Sequence, residues 1–184
     1  MDTSSRLHDF IGAFTRLAAA AAHDEQRMLA EGKLLLADLV AHDDWLAAAY
    51  SEPDPVTYRQ YLLHCDPQSR FSVASFVWAP GQSTPVHDHT VWGMVGVLRG
   101  AETCDEFRLE GARLTKGCSH RLERGDIDLV SPRIGDIHRV SNAFSDRVSV
   151  SIHVYGADIG RLARHVYDPA TGAASTFISG YANA

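Results

Sequence analysis

The amino-acid sequence predicts a mainly β protein: a small antiparallel β-barrel with an α-helical layer at its N-terminal end. Three observations lead to this prediction. Residues 1–50 carry a helical pattern of apolar residues, and from Phe71 onward short apolar runs alternate with turn-forming residues. Within this second part, two glycine-marked blocks contain histidines. Glycines at such positions mark the tight corners of a small barrel.

The helical layer is predicted from an apolar stripe near the N-terminus. Its members recur at three- and four-residue steps: Leu7, Phe10, Ile11, Phe14 and Leu17. Such spacing places them on one face of a helix. Further helices are predicted over Asp24–Val40 and Asp43–Tyr50, until Pro53 and Pro55 end the pattern. Because helices this apolar need a partner surface, we expect one domain over residues 1–184, with the barrel core at about 58–168.

The barrel is predicted from short apolar or alternating stretches. The candidate strands are Phe71–Trp78, Val91–Arg99, Ala101–Leu109, Ile127–Ser131, His138–Asn142 and Val148–Tyr155. Turn-forming pairs separate several of them: Pro80-Gly81, Arg99-Gly100, Lys116-Gly117 and Gly125-Asp126. Many short strands at this spacing are typical of a sandwich or barrel. After the last strand, a short helix is predicted over Asp158–His165.

Composition restricts the possible partners. The chain has 184 residues and a formal net charge of −6, without a lysine or arginine cluster, which argues against nucleic acid or a membrane surface as partner. No stretch approaches the roughly 18 apolar residues of a membrane span, and the N-terminal residues lack the apolar core of a signal peptide. Three cysteines without a CxxC pair favour free thiols in the cytoplasm. We expect a monomer or a weak homo-oligomer.

The strongest chemical signal is a set of three histidines in the two blocks. His87 and His89 lie between the glycines of the first block, and His138 follows a Gly/Pro-bounded turn in the second. A strand sends alternate side chains to one face, so His87 and His89 point to the same spot and Asp88 points away. Imidazole donors suit iron, zinc, copper or nickel. The sequence therefore predicts one metal site with His87, His89 and His138 as its ligands.

The two blocks resemble the paired signature motifs of the cupin superfamily. The first motif normally carries a glutamate ligand three or four residues after its second histidine, where this sequence has Gly93 and Met94. A cupin with three histidines and no carboxylate is similar to the thiol dioxygenases, the family of cysteine dioxygenase. The resemblance covers about residues 58–168. It implies Fe(II) as the cofactor, with a small thiol and dioxygen as the substrates.

The segment from Val148 to Tyr155 alternates between apolar and polar residues. The pattern alone leaves open whether the polar face lies inside the barrel or in solvent. The family resemblance favours the interior, because Ser151, His153 and Tyr155 resemble the catalytic serine–histidine–tyrosine relay of thiol dioxygenases. In mammalian cysteine dioxygenase a cysteine after the two histidines forms a thioether with the tyrosine. Here Trp92-Gly93-Met94 stands at that place, so we expect an unmodified Tyr155.

The predicted substrate-binding residues are Gln60 and Arg164. Mammalian cysteine dioxygenase binds the substrate carboxylate with an arginine in a Tyr-x-Arg segment, which corresponds here to Tyr58-Arg59-Gln60. The glutamine resembles a bacterial branch that favours 3-mercaptopropionate. A neutral amide cannot form a bidentate ion pair, so a separate cation is needed. Arg164 matches an arginine of that branch, although a position on a surface helix is equally compatible with the sequence. Arg161 and Arg139 are weaker alternatives.

Together these observations and the resemblance predict an iron-dependent thiol dioxygenase that oxidises 3-mercaptopropionate to 3-sulfinopropionate. The alternative substrate is L-cysteine, with broad tolerance of other thiols. Two other classes stay open, a three-histidine cupin that acts on carbon and a non-catalytic metal-binding or sugar-sensing cupin. The relay strand argues against the first class, since carbon oxidation has no need of it. The acidic N-terminal helices show no DNA-binding segment that would mark the second.

Overall fold

The computed structural model describes residues 3–183. Met1, Asp2 and Ala184, which the predicted domain includes, lie outside the described residues. Two helices begin the chain, α1 over Thr3–Ala20 and α2 over Glu25–Val40. Asp24 caps α2 because its carboxylate accepts a hydrogen bond from the backbone N–H of Arg27 at 3.0 Å. Both helices agree with the predicted ones.

The helix predicted over Asp43–Tyr50 is wrong, apart from a short 3₁₀ turn at Ala48–Tyr50. The indole N–H of Trp45 donates to the carbonyl oxygen of Leu39 at 3.1 Å. This contact holds Trp45 against the end of α2, where its ring is buried. Tertiary packing therefore overrides the local helical pattern.

Eleven strands follow within the described part of the chain. They are β1 Arg59–Cys65, β2 Ser72–Trp78, β3 Val86–His87, β4 Gly93–Arg99, β5 Ala101–Glu110, β6 Arg113–Glu123, β7 Ile127–Val130, β8 Ile137–Asn142, β9 Ser149–Tyr155, β10 Arg164–Tyr167 and β11 Ala174–Phe177. All the strand pairs are antiparallel. One sheet has the order β1-β2-β9-β4-β7, and the other has the order β11-β10-β3-β8-β5-β6. The prediction of a mainly β fold with an N-terminal helical layer is thus confirmed.

Two local predictions fail because strand pairing decides the conformation. The predicted turn at Lys116-Gly117 lies inside β6, where the long hairpin with β5 continues past it. The predicted helix over Asp158–His165 is absent from this segment, which forms turns and then enters β10 at Arg164. By contrast, the predicted turn at Arg99-Gly100 is present, and Gly100 has the positive φ of 76° that glycine accepts most readily.

The main apolar core lies between the helices and the outer face of the five-stranded sheet. Phe14 and Leu36 of the helices pack there with Met94, Ile152 and Val154 of the strands. This arrangement uses the apolar face of β9 on the outside of the barrel. Consequently the polar face of β9 points into the barrel, and its side chains are fully buried. Among the described residues, no helix is both long and apolar enough to cross a membrane.

Candidate metal centre

The structure brings the three predicted histidines together on the six-stranded sheet. His87 on β3 lies directly opposite His138 on β8, and His89 follows β3 by two residues. Each pair of rings has its centroids 4.8 Å apart. One nitrogen of each ring lies within 4.8 Å of the others, and all three side chains are buried. This equal spacing is suited to three ligands around one ion.

The hydrogen bonds of the rings define which nitrogen of each histidine faces the shared space. Nδ1 of His87 lies 3.1 Å from the carbonyl oxygen of Pro85, and Nδ1 of His89 lies 2.9 Å from Oδ1 of Asp136. Nδ1 of His138 lies 3.4 Å from Sγ of Cys104. Each Nδ1–H can therefore donate outward, which leaves Nε2 with a lone pair for a metal. Nε2 of His89 is buried and has no hydrogen-bond partner.

Asp136 fixes the backbone around the second histidine. Its carboxylate accepts hydrogen bonds from the backbone N–H of His89 at 3.0 Å and of Thr90 at 2.9 Å, in addition to the ring contact. Thr90 has a φ of 60°, which is unusual for a β-branched residue. The three contacts to Asp136 hold the chain in this conformation. As a result, the ring of His89 is restrained at both its backbone and its side chain.

Burial keeps the imidazoles of His87 and His138 neutral. Burial and the neighbouring His89 hold the pKa of His87 well below its usual range. Burial and the neighbouring His87 do the same for the pKa of His138. Only neutral imidazole has a lone pair to offer a metal ion. His87 and His138 are thus in the ligand-competent form at neutral pH, and the donor set of three imidazoles fits a divalent transition metal.

The relay residues form a continuous hydrogen-bonded row along β9. Oγ of Ser151 lies 2.8 Å from Nε2 of His153, and Nδ1 of His153 lies 2.8 Å from the phenol oxygen of Tyr155. Burial, together with His89, lowers the pKa of His153, and burial raises the pKa of Tyr155. Both groups therefore stay neutral near pH 7. The interpretation of this strand face as solvated is wrong, because all three side chains are buried.

Tyr155 connects the relay to the histidines across the barrel. Its ring stacks on that of His89 with the centroids 5.2 Å apart. On the neighbouring strand β4, Gly93 lies opposite Tyr155, and a Cβ atom there would be only 2.7 Å from the Tyr155 ring. Gly93 thus offers no sulfur at this place, in line with the expectation that Tyr155 is unmodified.

The predicted substrate-binding residues are both buried and have unused donors. Gln60 lies on β1, and its Nε2 has no hydrogen-bond partner. Arg164 begins β10, so it is on a strand of the sheet that carries the histidines and not on a surface helix. Its Nη2 donates to Ser179 at 2.8 Å, its guanidinium lies over the ring of Phe177, and its Nε has no partner. The charge of Arg164 is close enough to His87 to contribute to the lowered pKa of His87.

The alternative arginines are occupied elsewhere. Nη2 of Arg139 lies 2.5 Å from Oδ2 of Asp105. Arg161 pairs with Asp158, and the side chain of Arg161 is 86% exposed. Arg59, the neighbour of Gln60, pairs with Asp54. Arg164 is therefore the buried cation of this group.

A cavity of about 460 Å³ opens beside Gln60. Its lining includes Tyr58, Gln60 and Pro85, together with Phe177 and Ser179, the two contacts of Arg164. The histidines themselves are not on this lining, but the carbonyl oxygen of Pro85 contacts His87. The cavity thus lies next to the histidine site and is large enough for a small molecule.

Two residues that contact the histidines, Asp136 and Cys104, are not among the predicted site residues. Asp136 precedes His138 by two residues, and strand alternation would have been a signal that it shares a face with it. Cys104 was predicted to be an ordinary free thiol, and it is free and buried. Its contact with His138 depends on the pairing of β5 with β8, for which the sequence has no local signal. Cys104 also lies near His120 and Asp128, which contact each other at 3.1 Å.

The orientation of Asp88 agrees with the prediction. Its carboxylate faces away from the site and accepts hydrogen bonds from His165 and Tyr167.

The chain is similar to one protein family in sequence and to several solved structures in fold. A family model described as cysteine dioxygenase type I matches residues 8–166. A Klebsiella pneumoniae protein with a double-stranded β-helix domain superposes with a TM-score of 0.50 at 17% identity, over 63% of this chain and 91% of that chain. A cupin superfamily protein from Desulfitobacterium hafniense gives a TM-score of 0.46 at 15% identity, over 67% of this chain and 88% of that chain. At 17% identity the likeness to the Klebsiella pneumoniae protein shows a double-stranded β-helix type of fold alone.

Proposed function

The chain belongs to the cysteine dioxygenase type I family, and from this premise we propose that it is an iron-dependent dioxygenase. Its proposed substrate is a small mercapto-carboxylate, with 3-mercaptopropionate preferred to L-cysteine. The family consists of dioxygenases that act on small thiols. The observation that carries the finer proposal is the presence of two buried N–H donors without partners, on Gln60 and Arg164, near the histidine site. Buried donors are rarely left unpaired, and a ligand or an ordered water molecule is the partner they take.

The proposed ligands of Fe(II) are His87, His89 and His138. Three neutral imidazoles leave the charge of the ion uncompensated by the protein, which favours an anionic ligand such as a thiolate. When bound there, iron supplies binding positions for the substrate sulfur and for dioxygen together with the electron-transfer chemistry that their reaction requires. Imidazole also suits zinc, copper and nickel. The choice of iron therefore rests on the family.

Tyr155 is proposed to hold a proton beside the reacting groups. Since burial raises the pKa of Tyr155, its phenol keeps its hydrogen at neutral pH. His153 positions the phenol by its contact of 2.8 Å, and Ser151 positions His153 in turn. A phenol oriented in this way can donate a hydrogen bond to the substrate or exchange a proton with it. The short contacts along β9 support this role.

Gln60 and Arg164 are proposed to orient the substrate carboxylate. The amide of Gln60 can donate one hydrogen bond, whereas the guanidinium of Arg164 supplies the charge. L-Cysteine that binds through both sulfur and amine has its carboxylate fixed in one direction. A substrate without the amine can turn its carboxylate toward Arg164. This difference favours 3-mercaptopropionate.

The first prediction concerns substrate choice and is tested by oxygen consumption of the Fe(II)-loaded protein. We expect 3-mercaptopropionate to have the highest kcat/KM, followed by L-cysteine, with cysteamine as the substrate that lacks a carboxylate. The loss of a charge-assisted hydrogen bond costs about 1.5–3 kcal/mol, so the preference over L-cysteine should be roughly ten- to a hundredfold. Arg164→Met, which retains much of the buried volume, should lower kcat/KM for 3-mercaptopropionate by a similar factor and leave cysteamine nearly unchanged.

Arg161→Met is the matched control, because Arg161 lies three residues away and is exposed. It should leave all three thiols unaffected. If Arg164→Met weakens 3-mercaptopropionate and cysteamine equally, Arg164 has a structural role and the carboxylate is bound elsewhere. A higher kcat/KM for L-cysteine would contradict the proposed specificity. The absence of oxygen consumption with every thiol would contradict the proposed function itself.

A further inference from the structure

Glu102 is a buried carboxyl group that the proposed mechanism does not use. It lies on β5 with a side chain that is 0% exposed, and neither carboxyl oxygen has a hydrogen-bond partner. An unpartnered carboxyl group in a protein interior is costly, so its presence calls for an explanation. The position of Glu102 relative to the relay supplies one.

The polar groups next to Glu102 are Ser151 and Trp78. Asn142 lies opposite Glu102 on β8 and donates to the carbonyl oxygen of Trp78 at 2.9 Å. Burial raises the pKa of the Glu102 carboxyl group, whereas Ser151 and Trp78 both lower it, although neither makes a hydrogen bond of ordinary geometry to it. The indole N–H of Trp78 donates to Oγ of Ser151 at 3.2 Å. Oγ of Ser151 also contacts Nε2 of His153. The hydroxyl of Ser151 is therefore the junction between Trp78, Glu102 and the relay.

The hydroxyl of Ser151 has one hydrogen to donate and two lone pairs. Trp78 is only a donor, so it occupies one lone pair. Two arrangements connect the protonation state of Glu102 to the direction of the Ser151 hydrogen. In the first, Glu102 is protonated and donates to Ser151, and Ser151 donates to Nε2 of His153. Nδ1–H of His153 then donates to Tyr155, whose own hydrogen stays free for the substrate.

In the second arrangement, Glu102 is ionised and accepts the hydrogen of Ser151. The remaining lone pair of Ser151 then accepts from Nε2–H of His153. Nδ1 of His153 has no hydrogen in this tautomer and accepts from the phenol of Tyr155. The hydrogen of Tyr155 is thereby turned away from the substrate. The two arrangements differ by one proton, which is the proton of Glu102.

We propose that Glu102 is a positioning residue at the buried end of the relay, and that its protonation state selects the tautomer of His153 and the direction of the Tyr155 hydrogen. The proposal rests on the proposed function for its effect on turnover, although not for its effect on His153. This role would explain why a carboxyl group is buried in a part of the barrel whose other groups are neutral.

The other groups around Glu102 are neutral near pH 7. Leu122 and Asn142 lie opposite it on the two paired strands. The titratable groups nearby are Cys104 on the same strand and His153 and Tyr155 across the barrel. Burial raises the pKa of Cys104 and of Tyr155 and lowers the pKa of His153. Glu102 is therefore the group of this set that changes charge in the neutral range, because burial raises its pKa to about 7.

Turnover against pH tests the proposal in the Fe(II)-loaded protein. As the pH rises through about 7, kcat of the wild-type protein should fall, because Glu102 ionises and Tyr155 turns away. Glu102→Gln cannot ionise, and its amide N–H can donate to Ser151 at any pH, so its kcat should lack this decrease. One pH unit above a pKa, roughly one molecule in eleven keeps the proton. At pH 8 we therefore expect kcat of Glu102→Gln to exceed that of the wild type by about tenfold, with little change in KM.

Three variants exclude a merely structural effect. In a Tyr155→Phe background, Glu102→Gln should change kcat by less than about twofold, because the phenol through which it acts is gone. Glu110→Gln makes the same chemical change at an exposed position of β5 and should retain the wild-type profile. Glu102→Met provides a second neutral side chain if Glu102→Gln does not fold. Equal effects of Glu102→Gln with and without Tyr155, or an unchanged decrease near pH 7, would overturn the proposal.

The tautomer of His153 gives a measurement that does not need turnover. In ¹⁵N-labelled protein loaded with diamagnetic Zn²⁺, imidazole NMR signals distinguish Nδ1–H from Nε2–H. In the wild type, His153 should change from Nδ1–H to Nε2–H as the pH rises through about 7, whereas Glu102→Gln should stay Nδ1–H. If the tautomer changes but no thiol is oxidised, the proposed function is wrong and the role of Glu102 stands. If thiols are oxidised and the tautomer does not change, the role of Glu102 is wrong and the proposed function stands.

Discussion

Single contacts outside the histidine set decide how each imidazole is oriented. The three acceptors of the Nδ1 atoms differ in kind, because Pro85 offers a carbonyl, Asp136 a carboxylate and Cys104 a sulfur. A carboxylate acceptor increases the basicity of the ring it binds. Asp136 alone also holds the backbone of its histidine. Among the three, it is therefore the contact whose loss should matter most to metal binding.

Asp136→Asn is expected to reduce iron affinity by roughly ten- to a hundredfold, the usual effect of removing a carboxylate that supports a ligand histidine. Iron content after dialysis against a graded series of chelator concentrations measures this. Asp146→Asn is the control, since Asp146 pairs only with its exposed neighbour Arg147.

His138→Ala should lose iron and turnover together. Full iron occupancy in His138→Ala would mean that the second histidine block does not contribute a ligand.

Strand β9 connects two environments because its two faces have different neighbours. On one face, Ile152 and Val154 pack against the helical layer. On the other, the relay faces the barrel interior, with Tyr155 opposite Gly93 of β4. A Cβ atom at residue 93 would lie 2.7–2.9 Å from atoms of Tyr155 and Val130, so a side chain fits only if both of them move. The strand pairing thus requires glycine where the relay reaches the histidines.

Gly93→Ala is expected to displace the ring of Tyr155 and to lower kcat by roughly ten- to a hundredfold, because small shifts of positioned groups have effects of this size. Iron content should be unchanged. Gly96→Ala on the same strand is the matched control, since its Cβ would lie 2.9 Å from Ile127 on the helix side. Both substitutions should reduce stability by about 1–3 kcal/mol, measured by urea unfolding. Equal losses of kcat would show that overpacking, and not the position of Tyr155, causes the effect.

At the scale of the whole molecule, the main apolar core and the relay lie on opposite faces of the five-stranded sheet. The helices cover the outer face of the five-stranded sheet with the main apolar core. This leaves the interior free to hold polar groups such as Ser151, His153 and Glu102, all of them buried. Burial of such groups opposes folding unless they are paired. The packing of the helical layer offsets this cost. The polar interior therefore depends on the stability that this packing supplies.

The stability of the folded chain is expected to depend on pH through Glu102. Its pKa is raised from an ordinary value of 4.5 to about 7, so the folded state binds the proton more tightly than the unfolded state. Its contribution to stability is therefore fully present below pH 4.5 and is lost as the pH rises through about 7. At about 1.36 kcal/mol per pKa unit, the loss is roughly 3 kcal/mol by pH 8.

Urea unfolding of the wild type and of Glu102→Gln at pH 5 and pH 8 measures this dependence. The variant should gain stability relative to the wild type between the two pH values. Glu110→Gln, at an exposed position, should follow the wild type. A constant difference between the wild type and Glu102→Gln would mean that the carboxyl group does not titrate in this range.

The sequence by itself determined the fold class, the helical layer and the members of the histidine set. These features are local: a helical stripe from Leu7 to Leu17, and alternation that places His87 and His89 on one face. The outlines of α1, α2 and β9 agree with the prediction for the same reason. The failures at Asp43–Tyr50 and Asp158–His165 have the opposite cause, since distant contacts decide those segments.

Only the tertiary structure decided which residues meet across the barrel. The pairing of β5 with β8 brings Cys104 to His138, and the closure of the two sheets brings Glu102 to Ser151. It also places Arg164 on a buried strand, a question that periodicity left open. Periodicity reports the face of an element on which a side chain lies, but not the element that covers that face. Contacts between residues far apart in the chain depend on strand order and register, which arise only when the sheets close.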